Sequence, residues 1–152
     1  MKMKKYIGTK IIEAAPAIRM GGKVYDANEL IPRSMKLVEE GYKVRYQDGY
    51  ESFSPKAVFE EAYQETDCLS FGLAIEAAKK GKKIARRGWN GKNQYVELAE
   101  RISYENAVHE VINANHEVIG NKALAFVGTS GVQLGWLASQ ADMLADDWMI
   151  VE

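Results

Sequence analysis

The chain has 152 residues, 47% of them hydrophobic and 27% charged, with 20 Lys and Arg against 21 Asp and Glu for a formal net charge of −1. This is the composition of one globular domain or two small modules, and it excludes wholesale disorder and an overall basic field able to hold a long nucleic acid. A single cysteine, Cys68, excludes an internal disulfide and fits a reducing compartment, while no apolar run approaches the roughly 18 residues of a membrane span.

The start, MKMKKYIGTKIIEAAPA, carries charges without an apolar signal core, so a soluble, intracellular protein is expected. Tyr6 to Ala15 reads as a strand that stops at Pro16, and Gly21-Gly22 as a turn. Ser34 is placed to cap a short helix, Met35 to Glu40, closed by Gly41. Alternation in Tyr42–Tyr46, then Asp48-Gly49, then Tyr50–Phe53 predicts a hairpin, because the turn needs positive φ and glycine supplies it. Ser54-Pro55 is expected to open a helix with Val58, Phe59 and Ala62 on its apolar face. QETDCL, residues 64–69, reads as a linker, so residues 1–66 form a hairpin-and-helix module whose core alone is marginal.

A second module is expected over 70–152. Ser70 caps a helix carrying Phe71, Ala74, Ile75 and Ala78, which Gly81 stops after Lys79 and Lys80. Ile84–Arg87 and Tyr95–Ala99 read as strands around Gly88-Trp89-Asn90-Gly91, with Asn-Gly the turn signal. Residues 100–121 mix turn formers with short β-branched pairs and give no single reading. Ala123–Val127 and Val132–Trp136 flank Gly128-Thr129-Ser130-Gly131 as a third hairpin. Ser139-Gln140-Ala141-Asp142 resembles a capping box, followed by one short helix and a terminal strand, Trp148–Val151. No internal repeat stands out. The expected class is α+β, with hairpin-rich antiparallel sheets and short helices.

Catalytic signatures are scarce. No GxGxxG, Walker A or GxSxG motif occurs, and Cys68 has no histidine near it in sequence. His109-Glu110 and His116-Glu117 would share a helix face, but Asn113 and Asn115 oppose a long helix and no HExxH is present, so no metal site is expected. No carboxylate pair stands out for acid–base work.

The stretch Lys79 to Asn93, KKGKKIARRGWNGKN, holds seven basic residues, one Trp and three glycines, with no acid. An indole beside a glycine-rich turn can stack on a base, glycine lets backbone N–H groups approach an oxyanion, and arginine grips phosphate bidentately. Together these describe a nucleotide site. The alternative is a solvated basic hairpin whose Trp89 plugs a core, the commoner role for an aromatic at a turn.

FGLAIEAAKKGKKIARRGWNGKNQYVEL followed by GWLASQADMLADDWMIVE resembles the second type of Thoeris anti-defence proteins, nucleotide sponges of phages. The shared pattern is F-G-x-A-[IL]-x-x-[ALM]-K-x-G-K-[KR]-[IV]-A-R-x-G-W-N-G-K, then W-x-[AP]-S-Q-x-D-[ML]-L-A-x-D-W, and it covers Ser70 to Glu152. GYKVRYQDGYESFSPKAVFEEAY also resembles a small module of phage-encoded proteins, with no role implied.

The resemblance implies a protein of the host bacterial cytoplasm that binds a cyclic ADP-ribose isomer, and in some members cyclic trinucleotides, without turnover. It implies a homotetramer, a dimer of dimers, with pockets between subunits and no cofactor, metal, DNA or membrane partner. Carried across, Phe71 and Trp89 would flank a purine, Asn90 and Gly91 would contact ribose or phosphate, and Arg86 and Arg87 would supply charge. Ser139, Gln140 and Asp142 match the second motif, with helix capping the alternative for Ser139 and Asp142. Trp136 and Trp148 are expected to pack the core, and the 100–135 segment, where the family varies, to bear on ligand choice. Two other classes stay open: an enzyme degrading the same signal, and a phage structural or interaction module without a small ligand.

Overall fold

The computed structural model describes residues 1–89, 93–117 and 122–152. The fold is α+β, as expected, and the chain divides into two compact units, residues 1–64 and 65–152.

In the first unit β1 (Glu13–Met20), β2 (Lys23–Asp26), β3 (Val38–Arg45) and β4 (Glu51–Pro55) form an antiparallel sheet in the order β2-β1-β3-β4, followed by α1 (Lys56–Ala62). The Asp48-Gly49 hairpin forms as expected: the Tyr46 N–H donates to the Tyr50 carbonyl at 2.9 Å and Gly49 has φ +88°. Helix α1 seats Phe59 on Tyr42, ring centroids 4.0 Å apart; Met20, Tyr25 and Val44 are buried on one face of the sheet and Ala17 on the other.

Three local expectations in this unit are corrected. The first strand begins at Glu13 and runs through Pro16; β2 pairs only with Ala17–Met20, so at Pro16 that side of β1 has no neighbour and a missing N–H is tolerated. Residues 35–40 are not a helix: Val38, Glu39 and Glu40 pair with Met20, Arg19 and Ile18, and Ser34 Oγ merely accepts the Lys36 N–H. Gly41, which read as a helix stop, lies inside β3 because a Cβ there would collide with the Phe53 ring and the Ser54 carbonyl. Ser54 does not cap α1; Pro55 takes the N-cap, with no side-chain cap bond.

The second unit is built on a five-stranded antiparallel sheet, β10-β9-β6-β5-β11. Its strands are β5 (Lys83–Arg86), β6 (Tyr95–Ala99), β9 (Ala123–Gly128), β10 (Gly131–Leu134) and β11 (Trp148–Val151). Helices α2 (Phe71–Lys79) and α3 (Gln140–Leu144) complete it, with a two-stranded ribbon, β7 (Tyr104–Glu105) and β8 (Val111–Ile112). Ser70 Oγ accepts the Leu73 N–H at 3.4 Å at the start of α2. At its end the Gly81 and Lys82 N–H groups reach the Ala78 and Ala77 carbonyls, a Schellman closure made possible by φ +88° at Gly81. Ala74, Ala77 and Ala78 let α2 approach the sheet closely over Ile84, Val96, Leu69 and Trp148. Ile84, Val96 and Trp148 are 0% exposed, and burying an aliphatic side chain such as Ile84 or Val96 is worth about 1.5–3 kcal/mol.

The boundary between the two units falls inside the expected 64–69 linker, after Gln64, but Thr66 and Leu69 are paired with β11. Leu69 and Trp148 exchange backbone bonds of 2.7 and 3.1 Å, and the Ile150 N–H donates to the Thr66 carbonyl at 2.8 Å. The segment covers the outer edge of β11 and sends Leu69 into the core. The expected Asn90-Gly91 turn lies outside the described residues.

Candidate functional site

Strand β5 ends at Arg86, and the chain turns through Arg87 and Gly88 to Trp89. The Trp89 indole is half-buried among three aromatic rings, with centroids 5.4 Å from Phe126, 6.1 Å from Trp136 and 5.4 Å from Trp148. The Trp136 and Trp148 rings meet it at 75° and 77°, the edge-to-face geometry that aromatic quadrupoles favour, and Phe126 is tilted at 58°. Phe71, from the first turn of α2, packs on Trp148 at 5.4 Å. Phe71 and Trp89 are therefore joined through Trp148, the fully buried centre of the cluster.

The local backbone explains how these rings converge. The Gly135 and Trp136 N–H groups both donate to the Leu124 carbonyl at 2.9 Å, with Gly135 at φ +80°. This glycine bulge ends β10 and turns Trp136 onto the cluster instead of continuing the strand that the sequence suggests. Gly128 lies beside the Phe126 ring, where a Cβ would meet the ring at 2.7 Å.

Beside the aromatics runs a charged network. Arg86 Nε donates to Asp147 Oδ1 at 2.9 Å and its Nη1 to Asp142 Oδ1 at 3.0 Å. These side chains are only partly exposed, 22% for Arg86, 15% for Asp142 and 34% for Asp147. Asp142 also closes a capping box at the start of α3, accepting the Ser139 N–H at 3.0 Å while its own N–H donates to Ser139 Oγ at 3.1 Å. Its carbonyl accepts the Trp148 indole N–H at 2.8 Å. Asp147 Oδ2 accepts the Gly88 N–H at 3.3 Å, and the Asp147 carbonyl accepts the Arg87 N–H at 3.0 Å.

The titration behaviour follows from these contacts. Hydrogen bonds to Asp147 and then Asp142 push the Arg86 guanidinium up against a smaller desolvation effect. Asp147 is held below the usual carboxylate range by Arg86, opposed by desolvation and assisted by the Gly88 N–H. Desolvation is the largest influence on Asp142 and works to raise it, but the Ser139 bonds and Arg86 together hold it low.

The expected residues thus have distinct surroundings. Arg86, Ser139 and Asp142 meet in one network, and Phe71 and Trp89 in one aromatic cluster. Arg87 is more exposed and reaches Asp67, donating to its carbonyl with the carboxylate 3.7 Å away. Gln140 is an exposed first residue of α3. Asn90 and Gly91 lie outside the described residues. Trp148 fills the core as expected, and Trp136 packs against it half-buried. Asp147 and Phe126 were missed, although Asp147 stands in the A-x-D-W end of the second motif.

Among the described residues, Glu65, Asp67 and Cys68 bring ligand atoms within 4.8 Å of one another, but all three are exposed, a geometry common without an ion. Desolvation, then Asp67 and Glu65, push the Cys68 thiol up, away from thiolate reactivity. His109 and His116 sit in turns with φ +64° and +54°, not on a helix. These turns expose an overlooked repeat: residues 106–112 read NAVHEVI and 113–119 read NANHEVI. In both, the His N–H donates to the Asn carbonyl at 3.0 Å. Residues 118 and 119 lie outside the described residues.

The sequence profile of the Tad2-like family, described as the Thoeris anti-defense 2-like domain, matches residues 69–151. The chain belongs to the Tad2-like family. It is similar to Thoeris anti-defense 2 of Bacillus phage SP01, 36% identical over 86 residues that cover 55% of this chain and 94% of that relative. The Tad2-like match begins at Leu69, the residue whose backbone pairs with Trp148, and it spans both the aromatic cluster and the Arg86 network. Residues 1–68 lie outside it.

Proposed function

We propose that this Tad2-like chain counters Thoeris immunity by binding a cyclic nucleotide signal in the host bacterial cytoplasm and withholding it without degrading it. Family membership supports the anti-defence role. The signal is a cyclic ADP-ribose isomer, with cyclic trinucleotides as a second ligand class. Binding is assigned to the 70–152 module, assembled as a homotetramer with pockets between subunits.

The observation that carries this reading is the half-buried Trp89 on a rigid aromatic base, beside the glycine of a turn. A ring held on several sides by Phe126, Trp136 and Trp148 loses little entropy on stacking against a purine. Phe71 supplies the second aromatic contact. Asn90, Gly91 and Arg87 address ribose and phosphate, with Gln140 from α3. Ser139 and Asp142 serve the same site by fixing α3, and Arg86 by joining the two motifs.

Stacking on an aromatic is worth about 1–3 kcal/mol per base, so Trp89→Ala should weaken binding about 5- to 150-fold. Calorimetric titration of wild-type and variant protein with cyclic ADP-ribose isomers tests this. Unchanged affinity in a folded variant would remove Trp89 from the site, and no heat of binding from wild-type protein with any isomer or cyclic oligonucleotide would reject the reading.

A further inference from the structure

We infer that Asp147 is a positioning residue for ligand capture, acting through the backbone of Gly88 and Trp89; this rests on the sequestration reading. Its two carboxylate oxygens face different elements. Oδ1 holds the Arg86 guanidinium at the end of β5, and Oδ2 accepts the Gly88 N–H. The Asp147 carbonyl takes the Arg87 N–H, and the Trp89 N–H turns back to the Arg86 carbonyl at 3.3 Å. Three consecutive backbone donors, at 87, 88 and 89, are therefore oriented by Asp147 directly or through the residue it grips.

Asp147 also precedes Trp148, the ring against which both Trp89 and Phe71 pack. One residue thus fixes the approach of the Trp89 turn from its backbone side and abuts the centre of its aromatic base. A ring displaced by about 1 Å loses stacking geometry without leaving the core. Asp142 reaches the turn indirectly, through Arg86 and through the Trp148 indole, whereas Asp147 touches the turn itself.

The test compares wild-type full-length protein with Asp147→Asn, Asp147→Ala and the exposed neighbouring control Asp146→Asn. Each is titrated with cyclic ADP-ribose and its isomers one at a time. Urea unfolding gives the folded fraction, and the Gly88 and Trp89 amides are followed by NMR with hydrogen exchange.

Asparagine keeps an oxygen for the Gly88 N–H but loses the charge opposite Arg86. The expected result is about a tenfold or greater loss of affinity per folded molecule in Asp147→Ala, a smaller loss in Asp147→Asn, and none in Asp146→Asn. Faster exchange at Gly88 should accompany the loss. If Asp147→Ala does not fold, Asp147→Asn carries the comparison. Lower stability with unchanged affinity per folded molecule, or affinity loss with an unaltered Gly88 amide, would overturn the inference while leaving sequestration standing. Wild-type protein that binds none of the isomers would overturn both.

Discussion

Arg86 places one positive charge between two carboxylates, in a setting too dry for any of the three to be indifferent. Removing the cation leaves Asp142 and Asp147 facing each other's field with part of their hydration gone. Arg86→Met should lower unfolding free energy by about 1–3 kcal/mol, measured in urea, the range for unpairing partly buried polar groups. The same pairing makes stability depend on acid. Asp142 and Asp147 are held below their ordinary value. Their contribution is therefore complete above the unfolded aspartate value of about 3.9 and is lost as pH falls through the depressed folded values. Arg86 is raised, so its contribution is lost only as pH climbs into the guanidinium range. Between pH 7 and about pH 3, wild-type protein should lose more stability than Asp147→Asn; equal losses would contradict the pairing.

Elements in this protein are set by turn chemistry more than by propensity. Asp48-Gly49 and the Gly128–Gly131 loop are legible because their glycines license hairpin turns, and Ser70 and Gly81 bracket α2 at both ends. The same logic misreads Gly41, since a glycine admitting an aromatic ring above a strand looks like one ending a helix. Gly41→Val should destabilise the first unit by about 1–3 kcal/mol through overpacking against Phe53, read by thermal unfolding. The 66–69 segment is polar enough to resemble a linker, and only its pairing with β11 reveals it as structure. Leu69→Ala removes a buried side chain and should cost about 2–5 kcal/mol, whereas a linker leucine would cost almost nothing.

At the scale of the whole molecule, Trp89, Phe126, Trp136 and Trp148 are spread over sixty positions of sequence yet share one cluster. No periodicity announces such convergence, because β9 and β11 bring their rings in across strands that sequence spacing does not order. The basic run Lys79–Asn93 is legible as charge, but its Arg86 is committed to two aspartates 56 and 61 positions away, so a cation in a basic run is not thereby available to a phosphate. The stretch that carries the resemblance, Ser70 to Glu152, coincides with the family match over residues 69–151. It leaves the first unit, with its own four-stranded sheet, outside the match.

Capture without turnover, as proposed for this protein, is open to one direct measurement. Purified protein is mixed with known amounts of cyclic ADP-ribose isomers and cyclic di- and trinucleotides, then removed by filtration. The filtrate is quantified, and the retained protein is heated to release what it holds. Selective depletion at a fixed ratio to protein, with the same compound returning intact, is the predicted result. Return of an altered product, or depletion that keeps growing with time beyond that ratio, would contradict it.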